Sequence, residues 1–280
     1  MDIFKKKTIV TEKEVVEVVE KKFQEKDKKS FEGVVLENIG KLDMVIAFDT
    51  TGSMAAYIEA VRKEVSELVP RLFKNNEDLR LGIVAFGDYC DMKNAQEFGK
   101  AYQCLMPTDN ENAIIKFINE SKDTSGGDGD EFYELVIKKV VEETPWRDGA
   151  TKVLLLISDS CPHPLGYTYR DYVIGNQIDW RQEVAKAASI GIKIDTVSIT
   201  DAPWYKELSD MTNGISTLFQ SSCKTARLVE VATLARGSKA SRDMFDSIAF
   251  SCCSANASFK DEEMEEVYKK YKKERDNMDF

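Results

Sequence analysis

Hydrophobic residues along this chain fall into two alternating patterns. Short, nearly unbroken apolar runs extend from Leu42 to Phe48 and from Val153 to Ile157, the composition of strands covered on both faces. Three further segments, 79–86, 192–199 and the shorter 215–219, are predicted as strands of the same sheet. Between the runs, apolar residues recur at steps of three and four. Ile58, Val61, Val65, Leu68, Val69 and Leu72 form one stripe between Tyr57 and Phe73, which predicts an amphipathic helix ending at Asn75-Asn76. The segments 113–119, 132–141, 180–190, 205–211 and 225–235 read as helices for the same reason. Strands alternating with helices imply an α/β fold with a doubly wound, mostly parallel central sheet and helices on both faces.

This pattern occupies residues 40–237, a usual domain size. The flanks differ from it. Residues 1–39 are predicted as an N-terminal helical extension, in which Val15, Val16, Val18, Val19 and Phe23 stand among alternating Glu and Lys. Residues 238–280 are predicted as a C-terminal helical extension, and its charged stretch 261–279 carries only a thin stripe of Met264, Val267, Tyr268 and Tyr271. Both read as solvated helices docked lightly on the body.

Composition narrows the function classes. Of 280 residues, 42% are hydrophobic and 31% charged, the balance of a globular chain with a sizeable core. The net charge of −10 disfavours a general attraction to nucleic acid or anionic lipid and favours cations and basic partners. No apolar run approaches the roughly 20 residues that span a bilayer, and no secretory signal is visible, so a cytoplasmic protein is expected. Six cysteines without a C-x-x-C pair and a single histidine, His163, make a zinc site unexpected; the cysteines, Cys252-Cys253 included, read as reduced packing residues.

The chemistry gathers at strand ends. The first apolar run leads into Asp49-Thr50-Thr51-Gly52-Ser53, and ligands of open α/β sheets bind at the carboxyl ends of the strands. Asp49, Thr51 and Ser53 alternate, so one tight loop presents a carboxylate and two hydroxyls to one point. A set of hard oxygens suits Mg²⁺, with Mn²⁺ or Ca²⁺ as alternatives. The run ending at Ile157 leads into Ser158-Asp159-Ser160, at the same sheet edge. Between them in sequence lies the glycine-rich acidic loop Gly126-Gly127-Asp128-Gly129-Asp130-Glu131, whose carboxylates repel one another unless a cation offsets them.

These three loops together resemble the von Willebrand factor A domain and its metal-ion-dependent adhesion site. The resemblance covers residues 40–237 and implies a Rossmann-like sheet with one short antiparallel edge strand, and an activity of binding through a divalent cation. Carried over by position, it implies Asp49, Thr51, Ser53 and Asp159 as metal ligands, Asp159 through water. It implies an acid from the second loop as well, Glu131 counting back from the helix or Asp128 as the alternative. Asp130 stands where the related G-G-D-x-P-E loop has proline. The segments Arg80 to Tyr89, Trp146 to Lys152 and Ser158 to His163 resemble the subgroup of these domains found beside α-kinases and in stand-alone proteins. The implied function is a non-catalytic module whose Mg²⁺ is completed by a Glu or Asp of a protein partner, without nucleic acid or membrane insertion. Loops 89–103 and 165–177 flank the expected metal edge and are candidate specificity elements; nothing here fixes the oligomeric state.

Two other readings stand beside this one. Asp49-Thr50-Thr51-Gly52-Ser53 also resembles the nucleophile loop of haloacid-dehalogenase-type phosphotransferases, in which Asp49 would attack phosphorus beside Mg²⁺. The polar segment before Gly127-Asp128-Gly129-Asp130 argues against it, since the corresponding motif should follow an apolar strand. The third reading is a scaffold that holds no metal. His163 reads as a surface turn residue between Pro162 and Pro164, Asp195 as a residue hydrogen-bonded at the sheet surface, and Trp180 and Trp204 as core anchors that could rim the metal face.

Overall fold

The computed structural model describes residues 40–94, 96–168, 177–218, 225–253 and 262–276. The predicted N-terminal helix, Cys223 and most of loop 165–177 lie outside them. Six strands form one sheet in the order β3-β2-β1-β5-β7-β8. They are β1 (Leu42–Asp49), β2 (Leu79–Phe86), β3 (Tyr102–Thr108), β5 (Thr151–Ser158), β7 (Ile192–Ser198) and β8 (Ser216–Leu218). All pairs are parallel except β2 with β3. This is the doubly wound, mostly parallel α/β sheet expected from the pattern. The antiparallel strand begins at Tyr102, so the last residues of loop 89–103 belong to the sheet.

The alternation within each central strand decides which helices cover which face. Leu42, Met44, Ile46 and Phe48 of β1, with Val153, Leu155 and Ile157 of β5, enter one buried cluster. Leu79, Leu81, Ile83 and Ala85 of β2 join it, and helices α1 (Ala55–Asn75), α2 (Glu111–Glu120), α6 (Thr225–Arg236), α7 (Lys239–Cys253) and α8 (Glu262–Asp276) cover it. Val45, Ala47, Leu154 and Leu156 point the other way, into a second cluster with α3 (Tyr133–Glu143), α4 (Trp180–Ser189) and α5 (Pro203–Met211). Trp180 and Trp204 are core residues of that second cluster.

Two polar clamps hold the layers in place. Asp43, at the start of β1, accepts from Arg80 Nε at 2.9 Å and from the backbone N–H of Arg147 at 2.8 Å, and these donors hold its carboxyl below the usual range against burial. At the other face of the sheet, Asp195 is buried rather than at the surface. It accepts from Ile215 N–H at 2.8 Å, from the Tyr271 hydroxyl at 2.7 Å and from Arg236. Arg236 also reaches Glu274 at 2.7 Å. The C-terminal helix is therefore not lightly docked: Met264, Val267, Tyr268 and Tyr271 are all buried in the first cluster.

Candidate metal centre

Strands β1 and β5 are neighbours, yet the chain leaves β1 for β2 on one side and reaches β5 on the other. Such a reversal opens a crevice at the carboxyl ends of the two strands. Asp49 ends β1 and Asp159 follows β5, so both border that crevice.

The first loop is stitched tightly. Asp49 Oδ1 accepts from Thr51 N–H at 2.8 Å and from the Thr51 hydroxyl at 2.7 Å, and Oδ2 accepts from the Tyr133 hydroxyl at 2.7 Å. The Thr51 and Ser53 hydroxyls lie 3.2 Å apart. Thr50 turns away, its hydroxyl donating to Phe86 O at 2.7 Å and meeting the Thr124 hydroxyl at 2.9 Å, while Thr124 N–H donates to Thr50 O at 2.9 Å. These contacts fasten the first loop to the start of the second.

The second loop is held from two sides. Asp91 accepts from Ser125 N–H at 2.9 Å and from Gly126 N–H at 3.0 Å. The two-residue strand β4 (Asp130–Glu131) pairs in parallel with β6 (Cys161–Pro162), so the acid in the proline position is pinned by a ladder rather than by a ring. Gly126 has φ +68°, and a Cβ there would stand 2.8 Å from Glu131 Oε1 and 3.3 Å from Thr51 Cβ. The positive φ favours glycine there, and a side chain would also crowd the Glu131 carboxylate.

The loops bring Glu131 to Thr51, whose hydrogen bond opposes the upward push of burial on the Glu131 carboxyl. Asp159 meets the Ser53 hydroxyl. Asp128 goes elsewhere: it is exposed and accepts from the Tyr167 hydroxyl at 3.1 Å. Five of the six sequence-derived positions, Asp49, Thr51, Ser53, Glu131 and Asp159, thus border one crevice.

Electrostatics there favour a positive charge. Burial raises Glu131 to about 9, with Asp49 and Asp88 adding to the effect, and raises Asp49 to about 6, with Asp159 adding. Burial also raises Asp159. Glu131 Oε2 and Asp159 Oδ1 are buried with no hydrogen-bond partner among the described residues. Buried carboxylate oxygens left unpaired are costly, and an all-oxygen donor set suits a hard divalent cation. The donor chemistry therefore fits such an ion, with the Thr51 and Ser53 hydroxyls needed beside carboxylates whose oxygens do not all gather within 4.8 Å of one another.

Two aromatic residues complete the surroundings: Tyr133, which sequence reasoning missed, and Trp204, which it offered as a core anchor that could rim the metal face. Tyr133 holds Asp49, and Trp204 Nε1 donates to Ser160 O at 2.9 Å, bracing the turn after β5. Neither could be told from a core aromatic by spacing. His163 is not a surface turn residue: it is buried, with Nε2 2.7 Å from Asp88 Oδ1.

The sequence from 43 to 233 matches the von Willebrand factor type A domain. No curated protein matches the chain. Among solved structures, the pilus adhesin SpaC from Lactobacillus rhamnosus GG, in its open conformation, is similar with TM-score 0.52 and 14% identity, over 70% of this chain and 30% of that one. An aerotolerance-related membrane protein from Bacteroides fragilis NCTC 9343, with multiple mutations to serines, gives TM-score 0.45 and 13% identity over 69% of this chain and 98% of that one. The chain thus spans under a third of the adhesin's length. With the sheet order, the strand-end loops and a match over residues 43–233, the chain belongs to the von Willebrand factor type A domain family.

Proposed function

We propose that this protein is a metal-dependent protein-interaction module of the metal-ion-dependent adhesion type. Asp49, Thr51, Ser53, Glu131 and Asp159 would hold Mg²⁺, or Mn²⁺ or Ca²⁺ in its place, and a Glu or Asp of a protein partner would complete the coordination. The observation that carries this reading is the pair of buried, unpartnered oxygens, Glu131 Oε2 and Asp159 Oδ1, beside the alternating Asp49, Thr51 and Ser53. A bound dication offsets the local acidity, so a partner carboxylate can approach despite the net charge of −10.

The geometry of Asp49 favours this over a phosphotransferase. Its carboxylate is fully buried and accepts three hydrogen bonds, the state of a fixed ligand or an orienting group rather than of an in-line nucleophile. The described part of loop 89–103 anchors the second metal loop through Asp91, which supports a role in specificity.

Thermal unfolding of wild type and Asp49→Ala in EDTA, Mg²⁺, Mn²⁺ and Ca²⁺ tests the reading. An ion at 100 times its dissociation constant adds about 2.7 kcal/mol, a shift of several degrees in a domain of this size. Wild type should gain that shift and Asp49→Ala should not; partner capture from lysate should then be lost in EDTA. An equal response of the two proteins to every ion sinks the metal site, and capture that persists in EDTA sinks the mechanism.

A further inference from the structure

A second ligand set lies beside the glycine-rich loop. Asp88, Asp128 and His163 each offer one ligand atom, and these atoms all lie within 4.8 Å of one another, which no other set of three acid, thiol or imidazole groups among the described residues achieves. Asp88 follows β2 by two residues and is fully buried. Its Oδ1 meets His163 Nε2 at 2.7 Å, while its Oδ2 has no hydrogen-bond partner among the described residues. That unpartnered oxygen faces the loop: a Cβ on Gly127 would stand 3.7 Å from it. A buried carboxylate oxygen without a donor is unfavourable unless something positive satisfies it.

The imidazole is held in a fixed orientation. Its ring stacks on Tyr167 with centroids 3.7 Å apart and packs against Tyr89 at 5.4 Å. The backbone N–H of His163 donates to Glu134 Oε2 at 3.3 Å, fixing the turn, and the Tyr89 hydroxyl donates to Glu134 Oε1 at 2.8 Å. The ring is thus fixed by stacking and by its Nε2 contact with Asp88, while its Nδ1 is buried with no hydrogen-bond partner among the described residues, and a cation would take the place of the proton now shared by His163 and Asp88. Asp128 is the adjustable member, exposed between Gly127 and Gly129, and a Cβ at Gly129 would meet nothing within 4 Å. Zinc bonds of about 2.0–2.1 Å in a tetrahedral site place ligand atoms about 3.3 Å apart, a contraction that this loop can supply.

We propose that Asp88, His163 and Asp128 form a second cation site, for an ion of the Zn²⁺ class, distinct from the oxygen-only crevice at Asp49. One imidazole and two carboxylates suit Zn²⁺ better than Mg²⁺ or Ca²⁺, which take oxygen ligands almost exclusively. Three protein ligands leave a fourth position for water or a ligand from outside. The loop divides its acids between the two sites, Glu131 toward Thr51 and Asp128 toward Tyr167 and His163.

The test is Co²⁺ titration of the untagged, metal-stripped full chain, followed by visible absorption and competed with Zn²⁺. Four-coordinate cobalt with a nitrogen ligand absorbs far more strongly than cobalt in octahedral oxygen surroundings. Wild type and Asp49→Ala should both show the intense bands, with Zn²⁺ displacing Co²⁺. His163→Gln and Asp128→Asn should weaken binding tenfold or more. Asp128→Asn changes an exposed loop residue, so it decides the matter even if His163→Gln fails to fold. Wild-type bands that survive in Asp128→Asn, or that vanish in Asp49→Ala, overturn the second site. Bands lost in Asp128→Asn with no Mg²⁺ response in any protein uphold this site while the Asp49 reading fails.

Discussion

At the scale of single residues, the carboxyls of the crevice make stability depend on pH in an unusual direction. A carboxyl whose folded pKa lies above its unfolded value holds a proton that the unfolded chain has released, so each rise in pH between the two values costs stability. For Glu131 that window runs from the ordinary 4.5 up to about 9, for Asp49 from 3.8 up to about 6, and for Glu134 from 4.5 up to about 7. In EDTA the unfolding temperature should therefore fall as pH rises from about 5 to about 8, and Mg²⁺ should reduce the slope because it favours the ionised forms. A flat or rising profile in EDTA contradicts the burial-driven shifts. Legibility at this scale follows sequence distance. Asp49, Thr51 and Ser53 lie within one turn of chain and announce themselves. The choice between Glu131 and Asp128 depends on the positive φ of Gly126 and the β4–β6 ladder, which no local pattern reveals. His163 and Asp88 are 75 positions apart, so their pairing exists only in the fold.

At the scale of elements, β1 and β5 are readable because strands covered on both faces are apolar nearly throughout, while β2, β7 and β8 show through shorter or interrupted apolar runs such as Ile192-Lys193-Ile194. The exception is β3, an edge strand with mixed burial whose sequence, Tyr102–Thr108, looks like a loop. The C-terminal helix was misjudged for a related reason. Its apolar stripe is thin, but Tyr271 and Glu274 serve as partners for the buried Asp195 and Arg236, and that polar contribution has no hydrophobic signature. Removing one member of such a pair leaves its counterpart charged and buried, which costs about 3–5 kcal/mol. Asp195→Ala should lose stability on that order in urea unfolding; a change below about 1 kcal/mol would show that the pair contributes little.

At the scale of the whole molecule, the helices after residue 237 belong to the same core as the sheet. Phe245, Met264, Val267, Tyr268 and Tyr271 lie in the cluster that holds Leu42, Met44 and Ile46. A fragment of residues 40–237 should therefore expose this apolar face and leave Arg236 without Glu274, so it should be aggregation-prone or unfold well below the full chain. A fragment as stable as the full chain would make the two C-terminal helices accessories. No described helix is long and apolar enough to cross a membrane.

The antiparallel edge has a consequence for how the molecule can meet others. A partner that extends a sheet needs a long, regular row of free backbone donors and acceptors. Strand β3 has an irregular register opposite Gly82, where Pro107 stands against it and supplies no N–H, and β8, at the far edge, is three residues long. Among the described residues neither margin offers such a row, which favours recognition through the carboxyl-end loops, where side chains and ions rather than backbone register set the terms.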